Sequence, residues 1–336
     1  MYNFFKCPKC GKPMSLPSCS CGYTAQNKNG IYQLTDSPYI VKDDSADVKY
    51  IGYEDIGEAY SGKLLYDKIE IDGIYKKTAE IVGNGILLDL ACGDGVFTVP
   101  LVSQNIPVIS MDISDRMLSL IYKRAEIANI DSSRLIVCRA NALDIPLMDN
   151  SVDAVIANSM LHLVSKPENV VKEIYRVLKN GGKFITFEDK PGRKNPDDDF
   201  TEDEKTENKK ITEMVGFIHS RYFEILKDEY NMQGTRYSWR FDRDKVCSEI
   251  FSSKELYSFN YENQDKKIKI KFKDGFVYRM GGKGFSDQSD VPLDVHKSVF
   301  DRVMAEFISQ YGEKSLDIIN TFYDWSDDME IIVYIK

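Results

Sequence analysis

No uninterrupted apolar run in these 336 residues approaches the ~20 needed to cross a bilayer, which excludes an ordinary transmembrane helix. The opening residues, MYNFFKCPKCGKP, lack the basic-then-apolar layout of a secretory leader, so a cytoplasmic location is expected. Positive charge is also short. A net charge of −9 argues against a surface given over to nucleic-acid phosphates. That balance still leaves room for one basic module, because the stretch before Asp36 holds Lys6, Lys9, Lys12 and Lys28 and no acidic residue. Internal repeats are missing, as are low-complexity tracts beyond one charged stretch.

What is present is enough apolar material, 43% of residues, to build a real core. From about Ile81 the chain alternates regularly. ILLDLA, PVISMDIS, RLIVCRANA, VDAVIANS and GKFITFED read as strands. VFTVPLVSQ, DRMLSLIYKRAEIANI and PENVVKEIYRVLK read as the helices between them, the last stopped by Gly181-Gly182. Continuous apolar strands joined by amphipathic crossovers predict an α/β fold with a doubly wound, mostly parallel sheet.

Within LLDLACGDGVFT, small residues stand at Ala91, Gly93 and Gly95, directly after Asp89. A strand ending in a small-residue turn that opens a helix lets a ligand approach bare main chain at a favourable helix end. No Gly-Lys-Ser or Gly-Lys-Thr follows, so a Walker loop is excluded. Thr98 stands where a dinucleotide fingerprint needs its third glycine. Asp112 closes the next strand, where a carboxylate can accept both hydroxyls of a ribose. A ribose-bearing ligand with no pyrophosphate to grip is expected, and S-adenosyl-L-methionine fits that description.

LLDLACGDG, MDIS, RANALDIP, VDAVIANSMLHLV and RVLKNGGKFI, spread over roughly Ile81 to Asp189, resemble the class I S-adenosylmethionine-dependent methyltransferases, with a type 11-like core. The resemblance implies a seven-stranded Rossmann-like sheet. It places Asp89, Ala91 (where that family usually has glycine), Gly93 and Gly95 at the cofactor. It also places Asp112 on the ribose with Ile113 beside the adenine, Asn141 and Ala142 at the adenine edge, and Asn158 and Ser159 over the methionine part. Asn141 and Asn158 have a second reading, as strand-end caps or local turns. His162 is a candidate catalytic base, or else a packed histidine. Tyr60, with Tyr53, is expected to close over the methionine side.

Cys7-Pro-Lys-Cys10 and Cys19-Ser-Cys21 bring together four of the seven cysteines. Four thiolates suit tetrahedral zinc with no open position, hence a structural ion, and a redox dithiol is the other reading. Cys92, Cys138 and Cys247 are scattered among apolar neighbours and read as core thiols. A cysteine finger ahead of this core is partly similar to the ribosomal RNA guanine-N1 methyltransferases, whose finger helps to grip RNA. Their fourth ligand is commonly His where this chain has Cys21.

The expected organisation is a zinc module over 1–35, a linker and lead-in helices over 36–80, and the cofactor core over 81–190. A cap or insertion follows over 191–265, and 266–336 completes the sheet. KPGRKNPDDDFTEDEKTENKK reads as a solvated loop or a lid. Arg279, Lys283 and Phe285 are candidates to line the cap or are ordinary turn residues. The leading expectation is methyl transfer to a small molecule, with RNA as a rival acceptor and a turnover-free cofactor-binding protein as a second rival. Nothing in the sequence sets the oligomeric state.

Overall fold

The computed structural model describes residues 4–37, 72–189, 201–232, 241–259, 267–271, 276–283, 286–288, 290–319, 321–325 and 329–336. The N-terminal stretch forms β1 (Phe5–Lys6), β2 (Pro13–Met14), β3 (Gln26–Lys28) and β4 (Ile31–Gln33). The alternating core follows as α1 (Asp72–Val82), β5 (Leu87–Leu90), α2 (Thr98–Ser103), β6 (Val108–Asp112) and α3 (Asp115–Ile127). It continues through β7 (Ile136–Arg139), β8 (Val152–Ile156), α4 (Pro167–Val177) and β9 (Leu178–Asp189).

The local chemistry explains these elements. α3 starts where the Ser114 side chain accepts from the Met117 amide, and it buries Met117, Leu118, Ile121 and Ala125 at helical spacing. α4 begins on Pro167 and turns Val170, Val171, Ile174 and Val177 inward. Each of those side chains is fully buried and contributes about 1.5–3 kcal/mol.

The main sheet has nine strands in the order β10-β13-β9-β8-β5-β6-β7-β4-β3, where β10 is Ser253–Phe259 and β13 is Met329–Ile335. β9 through β4 run parallel; β13 is antiparallel to β9, β10 is antiparallel to β13 and so points the same way as the core, and β3 is antiparallel to β4. The expected count of seven is therefore corrected. The extra strands come from stretches that the alternation does not reach. β4 leaves the cysteine-rich segment and pairs with β7, Gln33 lying opposite Arg139, and β3 follows it at that edge. At the other edge, β10 joins through β13.

The helix stop expected at Gly181-Gly182 is also corrected. α4 ends at Val177, and the two glycines form a bulge inside β9, where pairing with β8 jumps from Val152↔Leu178 to Ala154↔Lys183. Gly181 has φ +75°, and a side chain at Gly182 would sit 2.7 Å from the Lys179 carbonyl. The bulge is pinned by the last residue: the Gly181 amide donates to the Lys336 carbonyl and the Lys336 amide to that of Gly182.

Apolar layers cover both faces. Ile74, Tyr75, Val99, Leu101, Leu118 and Ile121 from α1–α3 pack on one. The other carries α4, Cys247 of α6 (Arg243–Ile250) and the finger residues Phe5, Met14, Ala25 and Leu34. A further helical layer has its own core, with Met214, Ile218 and Tyr222 of α5 (Glu202–Tyr230) packed with Val299, Val303 and Phe307 of α8 (Leu293–Tyr311). α7 (Phe276–Gly281) and α9 (Ser315–Ile319) complete it, beside a separate antiparallel pair of β11 (Lys267–Lys271) and β12 (Thr321–Trp325). Cys92, Cys138 and Cys247 are buried thiols.

Candidate active site

The strand order reverses at β5, with β6 and β7 on one side and β8 and β9 on the other. Ligands of such sheets bind outside the carboxyl ends of the strands at that reversal. The turn after β5 sits there. Ala91, Gly93 and Gly95 adopt φ of 54°, 55° and 84°, left-handed values that are cheap for glycine. A Cβ on Gly95 would lie 3.0 Å from Ile121 Cγ1 and one on Gly93 3.4 Å from Met117 Cε, so the turn lies directly against α3.

Asp112 belongs to the same unit. Its Oδ2 accepts from the Gly93 amide at 2.9 Å and its Oδ1 from the Ser114 amide at 2.9 Å. Asp89 lies beneath. Thr98 Oγ1 donates to its Oδ2 at 2.6 Å and lies 2.8 Å from Ser110 Oγ. Burial, opposed by the Thr98 hydrogen bonds and assisted by the neighbouring charges of Asp112 and Asp94, pushes the Asp89 carboxyl up to about 7. Asp94 is held from the other side by Arg124, at 2.6 Å from Oδ2.

Just past the end of β7, Asn141 makes the local turn of its second sequence reading and also reaches the segment that leaves the finger. Its Oδ1 accepts from the Leu143 amide at 3.0 Å, a local turn, while Nδ2 donates to Ser37 Oγ at 3.1 Å. Ile113 and Ala142 pack against the apolar layer on the finger side. Past β8, Asn158, Ser159 (φ 52°) and His162 line a cavity of about 380 Å³. Its apolar wall includes Met160, Phe187 and Phe241, and its polar wall Glu188 and Arg243. His162 sits in a single tight turn, Leu161–Leu163. Tyr53, Tyr60 and Phe285 lie outside the described residues, and so does the Arg279 side chain. Lys283 is buried.

Arg243, Glu188 and Phe241 are not legible in the sequence. A cation in the first turn of a helix opposes the helix dipole, so Arg243 is explained only by its tertiary partners. These are Glu188 Oε1 at 2.5 Å, Thr186 Oγ1 at 3.2 Å and Tyr334 Oη at 3.2 Å, on β9 and β13.

In the finger, all four sulfurs of Cys7, Cys10, Cys19 and Cys21 lie within 4.8 Å of one another. Cys7–Cys21 and Cys10–Cys19 are each 3.7 Å apart. Gly11 and Gly22, at φ +70° and +85°, turn the two knuckles tightly enough for their amides to donate to the Cys7 and Cys19 carbonyls.

Residues 88–186 match the family model described as Methyltransferase domain. The match spans β5 to β9 and contains the turn, Asp112, Asn141 and Asn158. Segments of the chain also resemble curated proteins. A stretch of 115 residues is 36% identical to an uncharacterized chloroplastic methyltransferase of Arabidopsis thaliana, covering 33% of this chain and 32% of that one. Another of 105 residues is 37% identical to a demethylmenaquinone methyltransferase of Symbiobacterium thermophilum, covering 30% and 41%. The chain thus spans less than half the length of these relatives. Among solved structures, the YcgJ protein of Bacillus subtilis aligns over 79% of this chain and 97% of its own, at 16% identity and a TM-score of 0.44. Among the described residues, no helix is long and apolar enough to cross a membrane.

Proposed function

We propose that this chain is an S-adenosylmethionine-dependent methyltransferase acting on a small molecule by in-line methyl transfer, with a structural zinc in its finger. The observation that carries the reading is the joining of Gly93 to Asp112 by a hydrogen bond at the sheet's reversal point. The residues suit an adenosyl group. Asp112 is a carboxylate fixed by the Gly93 and Ser114 amides, and a carboxylate so placed can accept ribose hydroxyls. A side chain at Gly95 would crowd Ile121, both glycines hold left-handed φ that side chains rarely adopt, and the turn carries no phosphate-gripping lysine.

Bound there, S-adenosylmethionine supplies a methyl group already activated as a sulfonium. What this chain contributes is alignment, because proximity supplies much of the acceleration of a one-step displacement. The cavity beside Asn158 and Ser159 is the acceptor's place. Its volume of about 380 Å³ falls in the small-ligand range, and its walls are part aromatic. His162, on that wall, is the group assigned to take a proton from a hydroxyl or ring-nitrogen acceptor. A net charge of −9 and the pairing of Lys6 with Asp144 at 3.2 Å favour a small molecule over RNA. Demethylmenaquinone methyltransferases are themselves named for a small-molecule acceptor.

For the finger, four sulfurs around one zinc at ~2.3 Å would form a tetrahedron with edges of roughly 3.8 Å. The two 3.7 Å pairs match that edge. Four thiolates leave no open coordination position, so the ion holds shape. Incubating the purified chain and methyl-labelled cofactor with cell extract tests the function: the label should move to a low-molecular-weight product. Transfer to RNA alone, or no transfer alongside tight cofactor binding, would overturn it.

A further inference from the structure

Arg139 closes β7 and is 8% exposed. Its guanidinium donates to three backbone carbonyls on two stretches of chain. Nε donates to the Ile113 carbonyl at 3.0 Å, Nη1 to that of Thr35 at 2.7 Å, and Nη2 to that of Ser37. Ile113 directly follows Asp112, whereas Thr35 and Ser37 belong to the chain leaving the cysteine finger. Ser37 then reaches the other wall of the same corner, its Oγ accepting from Asn141 Nδ2 at 3.1 Å. A further tie lies beside these, from Gln33 Nε2 to Asp115 Oδ1 at 2.7 Å.

The consequence for Asn141 is orientational. An amide side chain presents an acceptor or a donor according to which way it is turned, and its neighbours decide which. Here the Leu143 amide donates to Oδ1 and Ser37 Oγ accepts from Nδ2. Both bonds turn the side chain the same way. Ser37 is in turn placed by Arg139 and by Thr35 Oγ1, which donates to Ser37 Oγ at 3.1 Å.

We infer that Arg139 and Ser37 are positioning residues for the adenine: the chain leaving the cysteine finger builds one wall of the base pocket by setting Asn141 and Ile113. The inference rests on the cofactor reading above. Neither residue needs to touch the ligand. Their effect is on discrimination at the base edge, which a purely structural role would leave alone.

The test is calorimetry on the full chain with two probes, S-adenosylhomocysteine and its inosine counterpart, in which a carbonyl replaces the adenine amino group. The wild type should prefer the adenine form. Ser37→Ala should cut that preference by about three- to tenfold, Ser37→Thr should restore it, and Arg139→Lys should weaken the adenine form by about tenfold. Thermal unfolding of each variant separates lost preference from lost fold. Wild-type preference in both Ser37→Ala and Arg139→Lys, or an equal loss for both probes, overturns the inference while leaving the cofactor site standing. Wild type that binds neither probe overturns the cofactor reading and this inference with it.

Discussion

The Gly93 amide donates to Asp112 Oδ2 at 2.9 Å, so the turn after β5 and the acid that ends β6 form one device. Either half is weakly diagnostic alone. Joined, they present bare backbone and a fixed carboxylate to one ligand, and the consequences can be measured separately.

Crowding the turn should act through shape. Gly95→Val places a β-branched side chain at φ +84° and within about 3 Å of Ile121. Strain of that kind costs on the order of 1–3 kcal/mol. Urea unfolding should register that loss, and S-adenosylhomocysteine affinity should fall with it. Gly95→Ala should lie between the two.

Asp89 makes stability depend on pH. Burial raises its folded pKa to about 7, above the unfolded carboxylate value. Between those values the folded state holds a proton that the unfolded state has released. Its contribution is therefore present in full below the unfolded pKa and is lost as pH rises through about 7. The swing is on the order of 4 kcal/mol. Asp89→Asn keeps an acceptor for Thr98 and removes the titration. Denaturant unfolding from pH 4 to 8 should show the wild type losing stability relative to this variant as pH rises.

His162 should divide binding from chemistry. Its place on the acceptor cavity, past the end of β8, predicts that His162→Gln lowers kcat while the cofactor dissociation constant stays within about twofold. An acceptor that is already deprotonated would show no kcat change, and the base assignment would then fall.

The finger is part of the main fold, since β4 continues the sheet and Phe5, Cys7, Met14 and Cys19 share its core. Metal analysis should find one zinc per chain. Removing it with a chelator should lower the melting temperature by on the order of 5 °C or more. Cys10→Ser should behave like the stripped protein. A chain that melts unchanged without metal would reduce the cluster to four thiols.

The parallel core was legible because buried parallel strands are written as continuous apolar runs, and their crossovers carry apolar stripes such as Met117, Leu118, Ile121 and Ala125. The turn and Asp112 were legible because their spacing is local. The count of strands was not. β3 and β4 are three residues each, too short for any periodicity to register. Gly181 and Gly182 read as a helix stop because a bulge and a C-cap both ask for glycine, and only the pairing with β8 decides between them. Arg243 meets Glu188 and Thr186 across more than fifty residues of chain, a meeting that composition and spacing do not encode.

The central claim is that one ligand is clasped by the Gly93–Asp112 unit, and calorimetry with S-adenosylhomocysteine on the purified chain tests it most directly. Wild type should bind one equivalent, and Asp112→Ala should weaken binding by about 100-fold, the loss of two hydrogen bonds to a charged acceptor, while melting cooperatively at a lower temperature because the Gly93 and Ser114 amides lose their acceptor. No binding by the wild type, or undiminished binding by Asp112→Ala, would contradict the account.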